Sequence, residues 1–211
     1  MRPNPAEMPP SATPGTLLFD LDGTLVDSLP DLTCALNAVL AEAGLPPAGL
    51  ELSRRYVGDG AKLMLERGFQ AHGRAAPADG VQRFLAVYET CLTRETQPFP
   101  GTVETLARLA EAGWRLAVCT NKTERHSRMI LQALGLLPLF AAVAGGDPWP
   151  WRKPDGRHLT RTLAAMGAPA AGAIMVGDSL NDVLAARHPR LPAEPGGLGH
   201  GDPPAPAAHP T

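Results

Sequence analysis

Apolar residues along this chain fall into short unbroken runs, and longer stretches with helical spacing separate them. Leu17-Leu18-Phe19 leads into Asp20-Leu21-Asp22-Gly23-Thr24, and Leu116-Ala117-Val118-Cys119 leads into Thr120-Asn121-Lys122. Residues 141–144 form a shorter run, and Ala173-Ile174-Met175-Val176 ends in Gly177-Asp178. Such runs, with no alternation, are the signature of strands covered on both faces. Between them, residues 102–112, 124–134 and 155–166 carry apolar positions at helical spacing, closed by Gly113, Gly135 and Gly167. Strands alternating with helices predict an α/β fold, a Rossmann-like parallel sheet with helices on both faces.

Residues 30–97 break that rhythm. Leu32, Leu36, Val39 and Leu40 share a helical face, as do Val81, Phe84, Leu85, Tyr88 and Leu92. Segments 50–57 and 62–69 also read as helix, interrupted by Gly58-Asp59-Gly60. The first two strand ends, Asp20 and Thr120, lie 100 residues apart, whereas a strand–helix–strand crossover takes about 30. The helical block is therefore an insertion into the first crossover. It would sit over the carboxyl ends of the strands, where open α/β sheets bind ligands. The expected organisation is a core of residues 16–29 and 98–187 with a helical cap of 30–97.

Composition narrows the picture. The 211 residues carry a formal net charge of -2, which gives no reason to expect nucleic acid or an anionic membrane as partner. No apolar run approaches a membrane span, and the N-terminus lacks a basic region followed by an apolar one. Cys34, Cys91 and Cys119 lie far apart with no metal-ligand spacing, so buried free thiols in a reducing, cytoplasmic compartment are expected. The six histidines make no ligand cluster. Residues 1–15 hold five prolines and read as a disordered leader. Beyond Val183 there is no Val, Ile, Phe, Tyr or Trp, and from residue 188 the chain turns Pro- and Gly-rich. The expectation is a disordered or aberrant tail, a missing C-terminal edge strand, and residues 173–176 left as an uncovered apolar edge.

The polar clusters at the strand ends carry the chemistry. Asp20 and Asp22 point the same way if strand geometry continues through both, and two acids so close need a cation or a shared proton. Asp20-Leu-Asp22-Gly23-Thr24, Thr120-Asn121-Lys122, Arg152-Lys153-Pro154-Asp155 and Gly177-Asp178-Ser179-Leu180-Asn181-Asp182 follow one another in order. In this order the chain resembles the haloacid dehalogenase superfamily of phosphohydrolases. Asp27-Ser28, the helix of residues 31–43 and Val57-Gly58-Asp59-Gly60-Ala61-Lys62 bring it nearest the phosphoglycolate phosphatase branch.

The resemblance implies specific roles. Asp20 is the nucleophile that forms an acyl phosphate, and Asp22 protonates the departing alkoxide and then activates water. For that, Asp22 must titrate high while Asp20 stays ionised. Mg2+ takes the Asp20 carboxylate, the Asp22 backbone carbonyl and Asp178. Asp182 holds a metal-bound water or Lys153. The Thr120 hydroxyl, the Asn121 backbone N–H and the Lys153 ammonium bind the phosphoryl oxygens. Outside that pattern, Lys62 either touches the carboxylate of the substrate as the cap closes or simply faces solvent, and Lys122 tethers its loop.

The partner is then a small phosphorylated metabolite, 2-phosphoglycolate first, and the protein a monomer or homodimer. The same motifs fit a sugar phosphate, pyrophosphate or nucleotide phosphatase, a phosphoglucomutase-like phosphotransferase, or an inactive truncated relative.

Overall fold

The computed structural model describes residues 14–187 and the backbone of residues 193–195. The first strand, β1 (Thr16–Phe19), lies in the middle of a parallel sheet. On one side it pairs with β4 (Arg115–Cys119), which pairs in turn with β5 (Ala142–Ala144). On the other side it pairs with β6 (Ala173–Gly177), register Leu18↔Met175, and β6 pairs with β7 (Ala193–Pro195). Chain order reverses direction between β1 and β6. That is the switch point at which doubly wound sheets open a crevice.

Side-chain alternation divides the sheet into two faces. Leu18, Ala117, Cys119, Ala173 and Met175 face α7 (Arg157–Ala165) and α8 (Leu180–Ala186), through Leu159, Leu163 and Ala185. Leu17, Phe19, Leu116 and Val118 face α5 (Thr102–Glu111) and α6 (Glu124–Ala133), through Leu106, Ile130 and Leu131. Helix α7 starts later than the periodicity predicts, with Gly156 at its N-cap and the Asp155 carboxylate just outside it accepting the Arg157 N–H at 2.9 Å.

The expected missing edge strand is corrected. Strand β7 pairs Ala193, Glu194 and Pro195 with Met175, Val176 and Gly177, so β6 is an interior strand. An edge strand bonds along one side only, so a short segment holding a proline can fill the position that an apolar run was expected to fill. At the other end, the Gly15 carbonyl accepts the Arg115 N–H at 3.1 Å, so the last residue of the expected leader is bonded to the sheet. The rest of that leader (1–13), residues 188–192 and the tail beyond 195 lie outside the described residues.

The inserted helices are α1 (Leu29–Glu42), α2 (Leu50–Arg54), α3 (Ala61–Gln70) and α4 (Gly80–Cys91). Helix α2 stops short of the expected residue 57, and residues 55–59 run on as turns and a bend. Cys34 is exposed, against expectation, while Cys91 and Cys119 are buried. A two-stranded antiparallel ribbon, β2 (Val26–Asp27) with β3 (Gln97–Pro98), joins the outgoing and returning chain. Two residues per strand leave no periodic trace in the sequence.

Beside this ribbon the buried Asp31 carboxylate accepts the N–H groups of Glu95 and Thr96, and the Thr96 hydroxyl at 2.7 Å. Asp31→Ala leaves those donors buried and unpaired, with an expected loss of about 3 kcal/mol. Urea unfolding measures it, and a loss under about 0.5 kcal/mol, the range of an ordinary surface change, contradicts this role.

His158, on α7, is buried with its ring edge-on to Trp149. Burial first, and the nearby Lys153 charge second, lower its pKa from 6.5 to about 4. The unfolded chain then binds the extra proton between these values, so this residue's contribution is complete above pH 6.5 and fades as pH falls toward 4. The contribution is about 3 kcal/mol. Unfolding of wild type and His158→Gln across pH 4 to 7 measures it, with a shallower acid loss expected in the variant. Parallel curves contradict the assignment.

Candidate active site

Strand β1 ends at Phe19, and the next residue is held at the tip of the sheet. Asp20 donates its backbone N–H to the Val176 carbonyl at 2.9 Å, and its own Oδ1 accepts the Leu21 N–H at 2.7 Å. The chain then turns sharply, with the N–H groups of Leu25 and Val26 both donating to the Leu21 carbonyl. Gly23 has φ +85°, and a Cβ there would lie 2.4 Å from Asp178 Oδ2. Only glycine satisfies both the backbone and the approach. Thr24 donates its hydroxyl to Asp178 Oδ1 at 2.9 Å, which ties the turn after β1 to the loop after β6.

Lys153 sits at the centre of the arrangement. Its ammonium lies 3.0 Å from Asp20 Oδ1 and 2.6 Å from Asp182 Oδ1, with the residue only 2% exposed. Burial by itself would lower the Lys153 pKa, but Asp182 and Asp20 outweigh it and hold the amine above its ordinary value. The second oxygen of Asp182 accepts the Ser179 N–H at 3.0 Å and the Ser179 hydroxyl at 2.6 Å, a capping box at the start of α8. Gly177 permits this, since a Cβ there would lie 2.2 Å from the Asp182 carboxyl carbon.

Asp22 points elsewhere. Its carboxylate accepts the Ser28 hydroxyl at 2.5 Å and the Lys122 ammonium at 3.0 Å on both oxygens. Lys122 also lies 4.5 Å above the Tyr88 ring of α4. The simple loop tether expected of Lys122 is thus corrected to a buried ion pair, 100 residues apart in sequence. The Asp20 carboxyl, expected to stay ionised, is pushed up to about 7. Burial is the main cause, and Asp182 and Asp178 add to it while Lys153 opposes.

Thr120 and Asn121 follow β4. Thr120 is buried, and its Oγ accepts the Lys122 N–H at 3.3 Å, leaving the hydroxyl proton to donate. The Asn121 side chain, which sequence reasoning left without a task, donates to the carbonyls of Lys153 and Gly58, both at 2.9 Å. Asn181 donates to Asp59 Oδ1 at 2.7 Å. Both asparagines fasten the loop between α2 and α3 onto the strand ends.

Beneath that loop is a cavity of about 190 Å³, lined by Asp20, Asp22, Thr120, Asn121, Lys122 and Lys62 among others. Lys62 stands at its rim, side chain 68% exposed and 3.8 Å from Glu66. Lys153, Asp178 and Asp182 flank Asp20. Neither Trp149 nor Trp151 lines the cavity; Arg157 lies 4.7 Å from the Trp151 ring centre.

Carboxylate oxygens of Asp20, Asp178 and Asp182 all lie within 4.8 Å of one another. Hard oxygen donors so close suit a small divalent cation. Asp182 is the poorest donor of the three, because Lys153 and Ser179 already occupy both of its oxygens. Asp20 and Asp178 fit best. Burial, with Asp182 and Asp178 adding to it, raises the Asp20 carboxyl, and a cation there would favour its charged form.

No helix among the described residues is long and apolar enough to cross a membrane. Comparison with known proteins agrees with the geometry. A phosphoglycolate phosphatase of Caulobacter vibrioides is 49% identical over 183 residues, covering 84% of this chain and 76% of its own. One from Agrobacterium fabrum is 43% identical over 83% of this chain and 77% of its own. A crystal structure of a predicted phosphoglycolate phosphatase from Haemophilus somnus superposes with a TM-score of 0.82 at 30% identity, covering 92% of this chain and 91% of that one. The model of the haloacid dehalogenase-like hydrolases matches residues 17–191, and this chain belongs to that family.

Proposed function

We propose that this chain is a Mg2+-dependent phosphomonoester hydrolase that converts 2-phosphoglycolate to glycolate and phosphate through an aspartyl phosphate on Asp20. The observation that carries the reading is the buried Asp20 carboxylate with the Lys153 ammonium at 3.0 Å on one side and further carboxylates on the other. The relatives named as phosphoglycolate phosphatases support the choice of substrate.

Asp20 attacks phosphorus in line, so that a carboxyl oxygen–phosphorus bond forms as the ester oxygen–phosphorus bond breaks. Asp22, which lines the same cavity, gives a proton to the departing alkoxide from its protonated form, in which its pair with Lys122 has opened. Water then attacks the acyl phosphate, Asp22 takes a proton from it, and Asp20 is released. The Thr120 hydroxyl, the Asn121 N–H and Lys153 stabilise the charge on the equatorial oxygens. Ser28 and Lys122 hold the Asp22 side chain in place. Mg2+ on Asp20, the Asp22 carbonyl and Asp178 would keep Asp20 ionised and screen the phosphoryl charge.

Residues 30–97 act as the cap, with the Gly58 and Asp59 contacts to Asn121 and Asn181 closing it over the cavity. Lys62 adds positive field at the rim. Three free thiols fit a cytoplasmic protein.

Phosphate release from 2-phosphoglycolate and a panel of sugar phosphates, pyrophosphate and nucleotides tests the proposal. Asp20→Asn should lower turnover on the order of 10⁴-fold or more, by analogy with the loss of other covalent nucleophiles. EDTA should abolish activity and Mg2+ restore it. An Asp20→Asn protein as active as wild type refutes the mechanism, and turnover of another compound in preference refutes the substrate.

A further inference from the structure

We propose that Arg152 is the specificity-determining residue of this site, binding the carboxylate at the far end of the substrate from the phosphoryl group. The inference rests on the phosphatase reading above. It begins with a count of the cations around the cavity. Lys153 is spent on Asp20 and Asp182, Lys122 on Asp22, and Lys62 stands 3.8 Å from Glu66. Arg152 also lines the cavity. Of those lining it, the Arg152 side chain alone, among the described residues, has neither an ion pair nor a hydrogen bond.

Position supports the assignment. Arg152 immediately precedes Lys153, so one loop presents a buried ammonium at the phosphoryl end and an exposed guanidinium toward the cap. A methyl group added at Gly60 would lie 3.4 Å from Arg152 Nη1, which places the guanidinium against the cap loop at the entrance to α3. Gly60 has no side chain with which to cap the first N–H groups of α3, so the cap side of this corner is also a region of donors.

Chemistry selects the ligand. A phosphomonoester with a carboxylate close to its phosphate has two anionic ends, and the groups already assigned meet one of them. A guanidinium offers a planar pair of N–H donors that matches a carboxylate, whereas an ammonium such as that of Lys62 is a hydrated point charge. A neutral alkyl phosphate of the same length leaves that fork unpaired. Arg152 therefore separates carboxylated from uncharged phosphomonoesters, and its closeness to Gly60 couples that choice to the seating of the cap.

The test is steady-state phosphate release by the full chain with Mg2+, comparing 2-phosphoglycolate with ethyl phosphate. The quantity read is the ratio of the two kcat/KM values in wild type, Arg152→Ala, Arg152→Lys and Lys62→Ala. Arg152→Ala should shrink the wild-type preference for 2-phosphoglycolate by at least about tenfold, the scale of one charge-assisted hydrogen bond, mostly through KM. Arg152→Lys should restore part of it, and Lys62→Ala should move it less than Arg152→Ala. An unchanged ratio in Arg152→Ala overturns the inference, as does a larger collapse in Lys62→Ala. Equal wild-type turnover of the two compounds overturns it while leaving the phosphatase chemistry standing. Wild type releasing phosphate from neither compound fails the parent reading instead.

Discussion

An ammonium group with almost no contact with water is the constraint around which this structure is arranged. Lys153 is 2% exposed and lies between Asp20 and Asp182. An unpaired charge so deeply buried would cost several kcal/mol, and pairing it requires carboxylates delivered to within a hydrogen bond. Asp20 comes from the end of the central strand and Asp182 from the first turn of α8. The capping box on Ser179 and the missing side chain at Gly177 keep Asp182 from turning away. A triad built this way is poised for an anion, because replacing one carboxylate contact with a phosphoryl oxygen leaves the lysine satisfied.

Two further ties relate that centre to the inserted helices. Asn121 bonds the Lys153 carbonyl with one amide hydrogen and the Gly58 carbonyl with the other, so a single side chain spans phosphate loop and cap. Lys122, one residue on, pairs with Asp22 beneath the Tyr88 ring of α4. The inserted helices are therefore held by hydrogen bonds to residues adjoining Thr120, and under the proposed function binding at the cavity and closure of the cap would share the same few side chains. Residues 95–96 return from the inserted helices under the hold of Asp31, next to the ribbon.

The residues read most directly from sequence were those that end apolar runs. Asp20, Thr120 and Asp178 each follow a strand whose alternation is hidden by burial on both faces, so the change from apolar to polar marks the catalytic edge of the sheet. Lys153 was legible through its motif, since no strand leads straight into it. Pairings between distant side chains left no such trace. Nothing in local spacing links Lys122 to Asp22 or Asn121 to Gly58. Arg152 stood in the sequence only as the first residue of the Lys153 cluster, since the occupation of the cations around it appears only in the fold. Strand β7 was hidden for a different reason. An edge position tolerates Pro195 and small residues, so composition argued against a strand that backbone pairing alone supports. The titration of Asp20 was also out of reach, since it follows first from burial and then from the approach of Asp182 and Asp178, both set by the fold.

The central claim is that the phosphoryl group passes through Asp20 before it reaches water. The stereochemical course of hydrolysis, followed with a substrate whose phosphoryl group is made chiral by oxygen isotopes, tests it most directly. Two successive in-line displacements, first by the carboxylate and then by water, predict retention of configuration at phosphorus. Inversion would mean a single direct attack by water, and would contradict the account.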